Sequence, residues 1–458
     1  MNLKRIYLLV FVIPGLSAMG FSQGNKDILK LSITEAQEYA IQNNRSVKSL
    51  RIDVDKANKK VWENLAMGFP QLNLAANYQH QFVVPEISFG PYLDVPSLPD
   101  AGYLTKSDIE NAYKNSPNIP LGVKNNTLID LTLSQLIFSG QYIVGIQAVK
   151  VYKQVTEKTL VKNEALTKES VASTYFLYLV LAENEKVLNE NLIAVDQTSN
   201  ELIKMNEQGL NEETDVDQIK ISRSNLKRLI TSVGSQKEIS MKLLKYQLGV
   251  EFDQQLVLTD SLPGIIAQAN LQYLAPPQFN VKNNIDYQLV SSQEKISALM
   301  LKLEQSKYLP TITSFYRHEE QTNQPSFNFA VKDFVGVTLS LPIISSGQRN
   351  AKISQAKYDL AKSRLDKETA EQALIMEFET ALSDYQTAFS NYTTNKESMT
   401  LSKKIYDKTL IKYHEGVSSS FELSQNQSQY LVAESAYYNS ILSLLNAKAK
   451  LDRILEIN

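Results

Sequence analysis

The residues with chemical potential are few: three histidines, His80, His318 and His414, and two acidic stretches, MNEQGLNEETDV (205–216) and KYHEGVSSSFEL (412–423). The histidines are scattered, and none shares a motif with a nucleophile and an orienting acid. The sequence therefore predicts no catalytic residue and no enzyme. Cysteine is absent, which removes disulfides, thiolate metal sites, a catalytic thiol and a lipid-bearing cysteine. No cofactor and no metal site are expected. In the acidic stretches the chemistry is that of helix ends. Gly209 and Gly416 suit the left-handed conformation that terminates a helix. Ser419 and Glu422 have the spacing of a capping box, and Asp215 and Asp217 follow the break where a helix N-terminus favours negative charge.

The elements that carry these tips come in two copies. Asn43-Asn44 matches Asn283-Asn284 at an offset of 240, and the same offset carries Pro70 onto Pro310. Gly140 onto Gly347 and Gly209 onto Gly416 are both offsets of 207. A constant offset across so long a stretch indicates duplication. The difference of 33 places extra residues between His80 and Thr127 of the first copy, a proline-rich segment read as a long surface loop.

Two runs per copy alternate with period two, the signature of strands. Leu72, Leu74, Ala76, Tyr78 and Phe82 oppose Asn73, Asn77, Gln79 and Gln81. Ile129, Leu131 and Leu133 oppose Asp130, Thr132 and Ser134. From Phe327 to Leu341 the odd positions are apolar except Asp333, whereas Ile312 to Arg317 follows the scheme poorly. Strands of about ten residues match the span of a transmembrane barrel. Four strands cannot close one, and an open edge in lipid leaves backbone groups unpaired, so the chain is expected to oligomerise, three copies giving a twelve-stranded barrel with an aqueous lumen.

Each strand pair is followed by a helical pattern far longer than an ordinary helix. Leu374, Phe378, Ala381, Tyr385, Ala388, Tyr392, Asn395, Met399, Ser402, Tyr406, Thr409 and Tyr413 keep a strict 4-3 spacing, a coiled-coil seam. Leu188, Leu192, Val195, Ser199 and Leu202 do the same in the first copy. Return helices are seamed by Val216, Ile219, Leu226, Ile230 and Val233, and by Tyr430, Tyr437, Ile441, Leu444, Leu451 and Leu455. Each long helix thus folds back as an antiparallel hairpin with an acidic tip.

The expected organisation is a signal peptide over 1–22, a first repeat over 23–250, an equatorial connector over 251–280 and a second repeat over 281–458. The first repeat has strands about 70–84 and 127–138, a long helix about 139–209 and a return helix about 214–248. The second has strands about 310–318 and 326–341, a long helix about 346–415 and a return helix about 419–456. The fold class is mainly α with β. The leader is read from Lys4 and Arg5, an apolar run from Ile6 to Leu16 and the small residues before Gln23. Its removal leaves 45 basic against 49 acidic residues, which argues against nucleic acid as a partner.

LSITEAQEYAIQNNRSVKSLRIDVDKANKKVWENLAMGFPQL, LSLPIISSGQRNAKISQAKYDLAKS and GLNEETDV, in this order and duplicated spacing, resemble the TolC family of outer-membrane efflux channels. The resemblance covers nearly all of the chain after the leader. It implies a homotrimer with a twelve-stranded β-barrel in the cell outer membrane, continued by a twelve-helix α-barrel in the periplasm. It also implies a periplasmic adaptor (membrane fusion) protein and an inner-membrane pump as partners, with outer-membrane lipid around the barrel. The function implied is a passive exit duct of a tripartite efflux or type I secretion system. A periplasmic coiled-coil scaffold or adhesin without a pore is the alternative, which would have no use for four amphipathic strands. By motif, Thr214, Asp215, Tyr413 and Glu422 fall at the periplasmic aperture, and Gly209, Leu210, Gly416 and Val417 at the adaptor-contacting tips. Threefold symmetry would gather the Asp215 and Glu422 carboxylates into a field that attracts cations. One departure stands out: the family often has an arginine near the second tip, where this chain has Ser418, Ser419 and Ser420.

Overall fold

The computed structural model describes residues 28–87, 105–114, 118–269, 278–324 and 331–455. The expected leader, 1–22, lies outside them. In chain order the elements are β1 (Leu29–Leu31), α1 (Ile33–Asn43), α2 (Arg45–Ala66), β2 (Gln71–His80), β3 (Glu86–Ile87), α3 (Lys106–Lys114), β4 (Ile119–Pro120), β5 (Asn125–Ser139), α4 (Gly140–Glu207), α5 (Glu213–Leu248), β6 (Leu256–Leu258), α6 (Leu262–Ala269), α7 (Ile285–Ser306), β7 (Thr311–Gln321), β8 (Asp333–Ser340), α8 (Gln348–His414) and α9 (Ser420–Ile454). The chain is mainly helical with a minority of strands.

Four strands form one antiparallel sheet in the order β2-β5-β7-β8. Register decides which side chains share a face: Leu72 faces Leu133, Leu74 faces Leu131, Tyr316 faces Val335 and Ile312 faces Leu339. Leu72, Leu74, Val335, Val337 and Leu339 are 64–78% exposed, an apolar face left uncovered by the described residues. The opposite face carries Asn73, Asn77, Thr132 and Thr338, and on it buried Asp130 accepts from the Arg317 guanidinium and from Thr132 Oγ1 (2.7 Å). Phe315 lies across Gly336, its cross-strand partner, where a Cβ would come within 2.6 Å of the ring. An aromatic laid over a strand glycine restores the packing that the missing side chain forfeits. β7 is a regular strand to Gln321 although its alternation is weak in sequence; two neighbouring strands impose the conformation that its own pattern does not.

The strand expected over 326–341 is described from Asp333, and it stops at Ser340, before Pro342, whose missing N–H cannot extend a ladder. The proline-rich insertion is more than a loop among its described residues: β3 pairs with β4, and α3 lies between them. The connector holds a strand as well. β6 runs parallel to β1, and both are too short, at three residues, to show a period in sequence.

The four helices that meet the sheet pack in the same order as its strands, α2 on α4, α4 on α7 and α7 on α8. α4 and α8, at 68 and 67 residues, extend roughly 100 Å. They fold back into α5 and α9. The 4-3 seam of α8 is its buried line, Leu374, Ala381, Tyr385, Ala388, Tyr392, Tyr406 and Thr409, against α9. The largest core gathers at mid-height from α1, α4, α5, α6, α8 and α9. There Tyr175 donates to Asp260 Oδ2 (2.9 Å) while the Ile33 N–H donates to the same oxygen (2.6 Å), so α4, the connector and the N-terminal segment are tied at one carboxylate. Among the described residues no helix is long and apolar enough to cross a membrane.

Candidate functional site

Both long helices end in the same way. Gly209 (φ +69) and Gly416 (φ +70) are left-handed. Leu210 N–H donates to Met205 carbonyl oxygen (2.9 Å) and Gly209 N–H to Asn206 (2.9 Å); Val417 donates to Lys412 (2.8 Å) and Gly416 to Tyr413 (3.0 Å). These paired bonds are the Schellman closure, which satisfies carbonyls that a helix end leaves without partners. Leu210 and Val417 follow as exposed apolar residues, 66% and 75% accessible, on the outermost turn. In the first tip Asn206 Nδ2 donates to Asn211 carbonyl oxygen (3.0 Å) and Asn211 Nδ2 to that of Leu202 (3.3 Å), which fastens the turn to the helix.

The start of the second return helix differs from a full capping box. Ser419 Oγ accepts from Glu422 N–H (3.2 Å), but the Glu422 carboxylate accepts from Ser418 Oγ (2.6 Å) instead of returning to the N-cap backbone. The adjacent serine offers a hydroxyl donor and takes the carboxylate. Asp215 lies in the first turn of α5, where the helix dipole favours its charge; Asp217 lies two residues further on and pairs with Lys220 at 3.2 Å.

The two tips meet through Asp215, which accepts a hydrogen bond from Ser420 Oγ of the second tip. Below it Gln218 Nε2 donates to Ser424 Oγ (3.2 Å), Ser222 and Ser424 share a hydrogen bond (3.0 Å), and His414 Nδ1 sits 3.1 Å from Glu201 Oε2. Tyr413 packs half-buried between the apolar clusters of both hairpins. Burial pushes its hydroxyl up to about 12, with Asp215 and Glu201 adding to the effect. Of the four aperture residues expected from sequence, Asp215 and Tyr413 therefore share one environment. Thr214 Oγ1 bonds to Glu212 (3.1 Å) and Glu422 stays within its own tip. Sequence alone assigns Ser420 no partner and gives no sign of Ser424. The clue to Ser420 was the triplet of serines standing where a cation was expected.

Higher in the hairpins, Glu434 of α9 is only 3% exposed and accepts from Tyr430 Oη (3.1 Å), with Asn191 of α4 at 3.5 Å. Burial raises its pKa to about 7, partly offset by the Tyr430 hydrogen bond and by Lys403. Among the described residues no cluster of His, Cys, Asp or Glu could hold a metal ion.

One antiparallel sheet thus continues into two coiled-coil hairpins packed side by side, with their tips joined. Residues 300–455 match the family model described as outer membrane efflux protein. The chain is similar to a membrane protein from Pseudomonas aeruginosa, at 16% identity and a TM-score of 0.75, covering 94% of this chain and 93% of the other. It is similar also to the CmeC outer membrane channel of Campylobacter jejuni, at 15% identity and a TM-score of 0.71 over 97% and 93% of the two chains. The open-state MtrE outer membrane channel of Neisseria gonorrhoeae gives 13% and 0.71 over 92% and 88%. At these identities the likeness is one of fold. No curated protein matches the chain by sequence.

Proposed function

We propose that the chain is the outer-membrane channel of a tripartite efflux or type I secretion system, a passive homotrimeric duct. Its periplasmic end is opened by an adaptor and an inner-membrane pump. The observation that carries this reading is the sheet: one face is apolar and uncovered, and β2 and β8 have no second strand partner among the described residues. In hydrocarbon each unpaired backbone group costs several kcal/mol, so neighbouring copies must supply the missing ladders. Three copies complete a twelve-stranded cylinder whose polar inner face, with Asp130, Arg317 and Thr132, is wetted. The helices continue it as a hollow stalk. The tips carrying Gly209, Leu210, Gly416 and Val417 present the adaptor with exposed apolar side chains on rigid Schellman turns. The ring at Thr214, Asp215, Tyr413 and Glu422 is the aperture, and the Asp215–Ser420 hydrogen bond is a neutral substitute for an ionic link between the two hairpins of each copy.

The test is detergent extraction of the outer-membrane fraction, mass measurement and reconstitution in a planar bilayer. A trimer that conducts is expected. A buffer-soluble monomer without conductance or affinity for bilayers would overturn the channel reading and favour a periplasmic scaffold.

A further inference from the structure

Charge is distributed unevenly along the long axis. The helix segments next to the sheet, 56–66, 140–150, 296–307 and 348–358, hold nine Lys and Arg against two Asp and Glu, in a chain whose formal net charge is −2. Both acids, Glu63 and Glu304, are already paired to Lys60 and Lys307. At the opposite end, segments 204–217 and 412–422 hold seven acids against two bases. A basic collar thus encircles the stalk within roughly 16 Å of the strands, given 1.5 Å per helical residue. At the upper edge of the collar sits an aromatic marker of a lipid–water boundary: Trp62 and Phe69, with ring centroids 5.9 Å apart, are 60% and 52% exposed where α2 leads into β2.

The collar is strongest at the two edges. α2 and α8 stand at the ends of the helix row, as β2 and β8 do in the sheet. α2 presents Lys56, Lys59 and Lys60; α8 presents Lys352 and Lys357, all exposed. Counted from the helix ends, Lys59 and Lys60 lie about 10 Å below the sheet and Lys352 and Lys357 about 6 and 14 Å below it, so they share a level. Lys56, Lys59, Lys352 and Lys357 have no ion pair among the described residues. Beside them Arg349 is 8% exposed, held over the Tyr308 ring at 4.6 Å and by Ser345 Oγ (3.0 Å), with its Nη1 donor unpaired. Closing the ring would bring α8 of one copy against α2 of the next and set these cations near one another, with exposed Asp55 and Asp359 the first acids beyond them on the two helices.

We propose that the collar binds anionic phospholipid of the periplasmic leaflet, with headgroup phosphates seated at the seams between copies, between Lys56, Lys59 and Lys60 on one side and Lys352 and Lys357 on the other. The acyl chains would lie against the exposed apolar side chains above, Ile343, Ile344 and Leu341 among them. The lipid screens like charges at the protomer boundary and so supports assembly as well as marking the membrane level. Each Lys or Arg near an anionic surface strengthens association about fivefold, so five cations per seam give marked selectivity over zwitterionic lipid. The inference rests on the trimeric membrane reading above.

The experiment compares the trimer in nanodiscs of phosphatidylcholine alone with nanodiscs of phosphatidylcholine plus phosphatidylglycerol. It reads the temperature at which the trimer dissociates and the lipid retained in native mass spectra. Phosphatidylglycerol should raise the dissociation temperature and persist as adducts. In Lys56→Gln/Lys59→Gln/Lys60→Gln and in Lys352→Gln/Lys357→Gln the adducts should fall on the order of tenfold or more and the temperature increment should vanish. The Lys→Arg versions should restore both, which separates charge from misfolding. Equal increments in the Gln variants, or no lipid discrimination by the wild-type trimer, would overturn the inference while leaving the channel intact. An increment reproduced by inorganic phosphate in phosphatidylcholine would overturn it too, since a free anion would then suffice. Absence of a trimer in every lipid would instead be the failure of the parent reading.

Discussion

Glu434 illustrates how one side chain can set a pH response. It stands at a seam position of α9, between Tyr430 and Tyr437, where a coiled coil ordinarily places an apolar residue. Burial raises its pKa from 4.5 to about 7, so the folded chain holds this proton more tightly than the unfolded chain. Its contribution is then fully present below about pH 4.5 and is lost as the pH rises through about 7, where a buried carboxylate must be carried. Glu434→Gln removes that penalty. The variant should be more stable than wild type at pH 8, by up to roughly 3 kcal/mol, and nearly equal to it at acid pH. Urea unfolding of the helical signal at both pH values measures this, and an equal difference at both would remove the titration from the account. At the tips the issue is backbone. Gly209 and Gly416 have open space around the position of a Cβ, so Ala at either meets no clash and its cost is the left-handed φ alone. That cost is about 1 kcal/mol, read as increased hydrogen exchange confined to residues 205–212 or 412–419.

Among the elements, the two faces of β8 should respond in opposite ways to charge. Val337 is 71% exposed on the apolar face and Thr338 is on the polar one. Val337→Arg places a cation against hydrocarbon at about 2–4 kcal/mol, whereas Thr338→Arg faces water. Recovery of trimer from the outer-membrane fraction should drop for the first and not for the second; equal recovery would show that the sheet face is not lipid-covered. These elements were legible in sequence for a definite reason. Period two, the 4-3 seam, and glycines and prolines at constant offset are local signals, and each is repeated. The three-residue β1 and β6 are not, because strands that short carry no period and form only through their mutual pairing. β7 was obscured by Arg317 and His318, whose partners Asp130 and Asp333 lie on neighbouring strands. Ser420 was hidden in the same way, its acceptor being 205 residues earlier. Glu434 could have been found, since an acid on a heptad seam is visible without a structure.

At the scale of the whole molecule charge is uneven along the stalk, basic in the helices next to the sheet and acidic at the tips, and the acidic end is the narrow one in the proposed duct. Asp215 is held in the first turn of α5 by its helix and by Ser420, and Glu422 by Ser418, so neither carboxylate pairs with a cation among the described residues. Three copies bring six such groups around one opening, where low-dielectric walls concentrate their field. Small cations should therefore be preferred over anions, and multivalent cations should block by bridging the carboxylates. Asp215→Ala with Glu422→Ala removes the field and also frees Ser420 from its cross-hairpin acceptor. In planar bilayers the double variant should show a reversal potential closer to zero under a salt gradient and a weaker blockade by multivalent cations. Ser420→Ala alone should separate the two effects: it loosens the link between hairpins, raising the open fraction, while Asp215 keeps its charge and cation preference is retained. Unchanged selectivity in the double variant would place the narrow point of the duct elsewhere, and unchanged open fraction in Ser420→Ala would leave the contacts of Ser424 with Gln218 and Ser222 as what holds the two hairpins together.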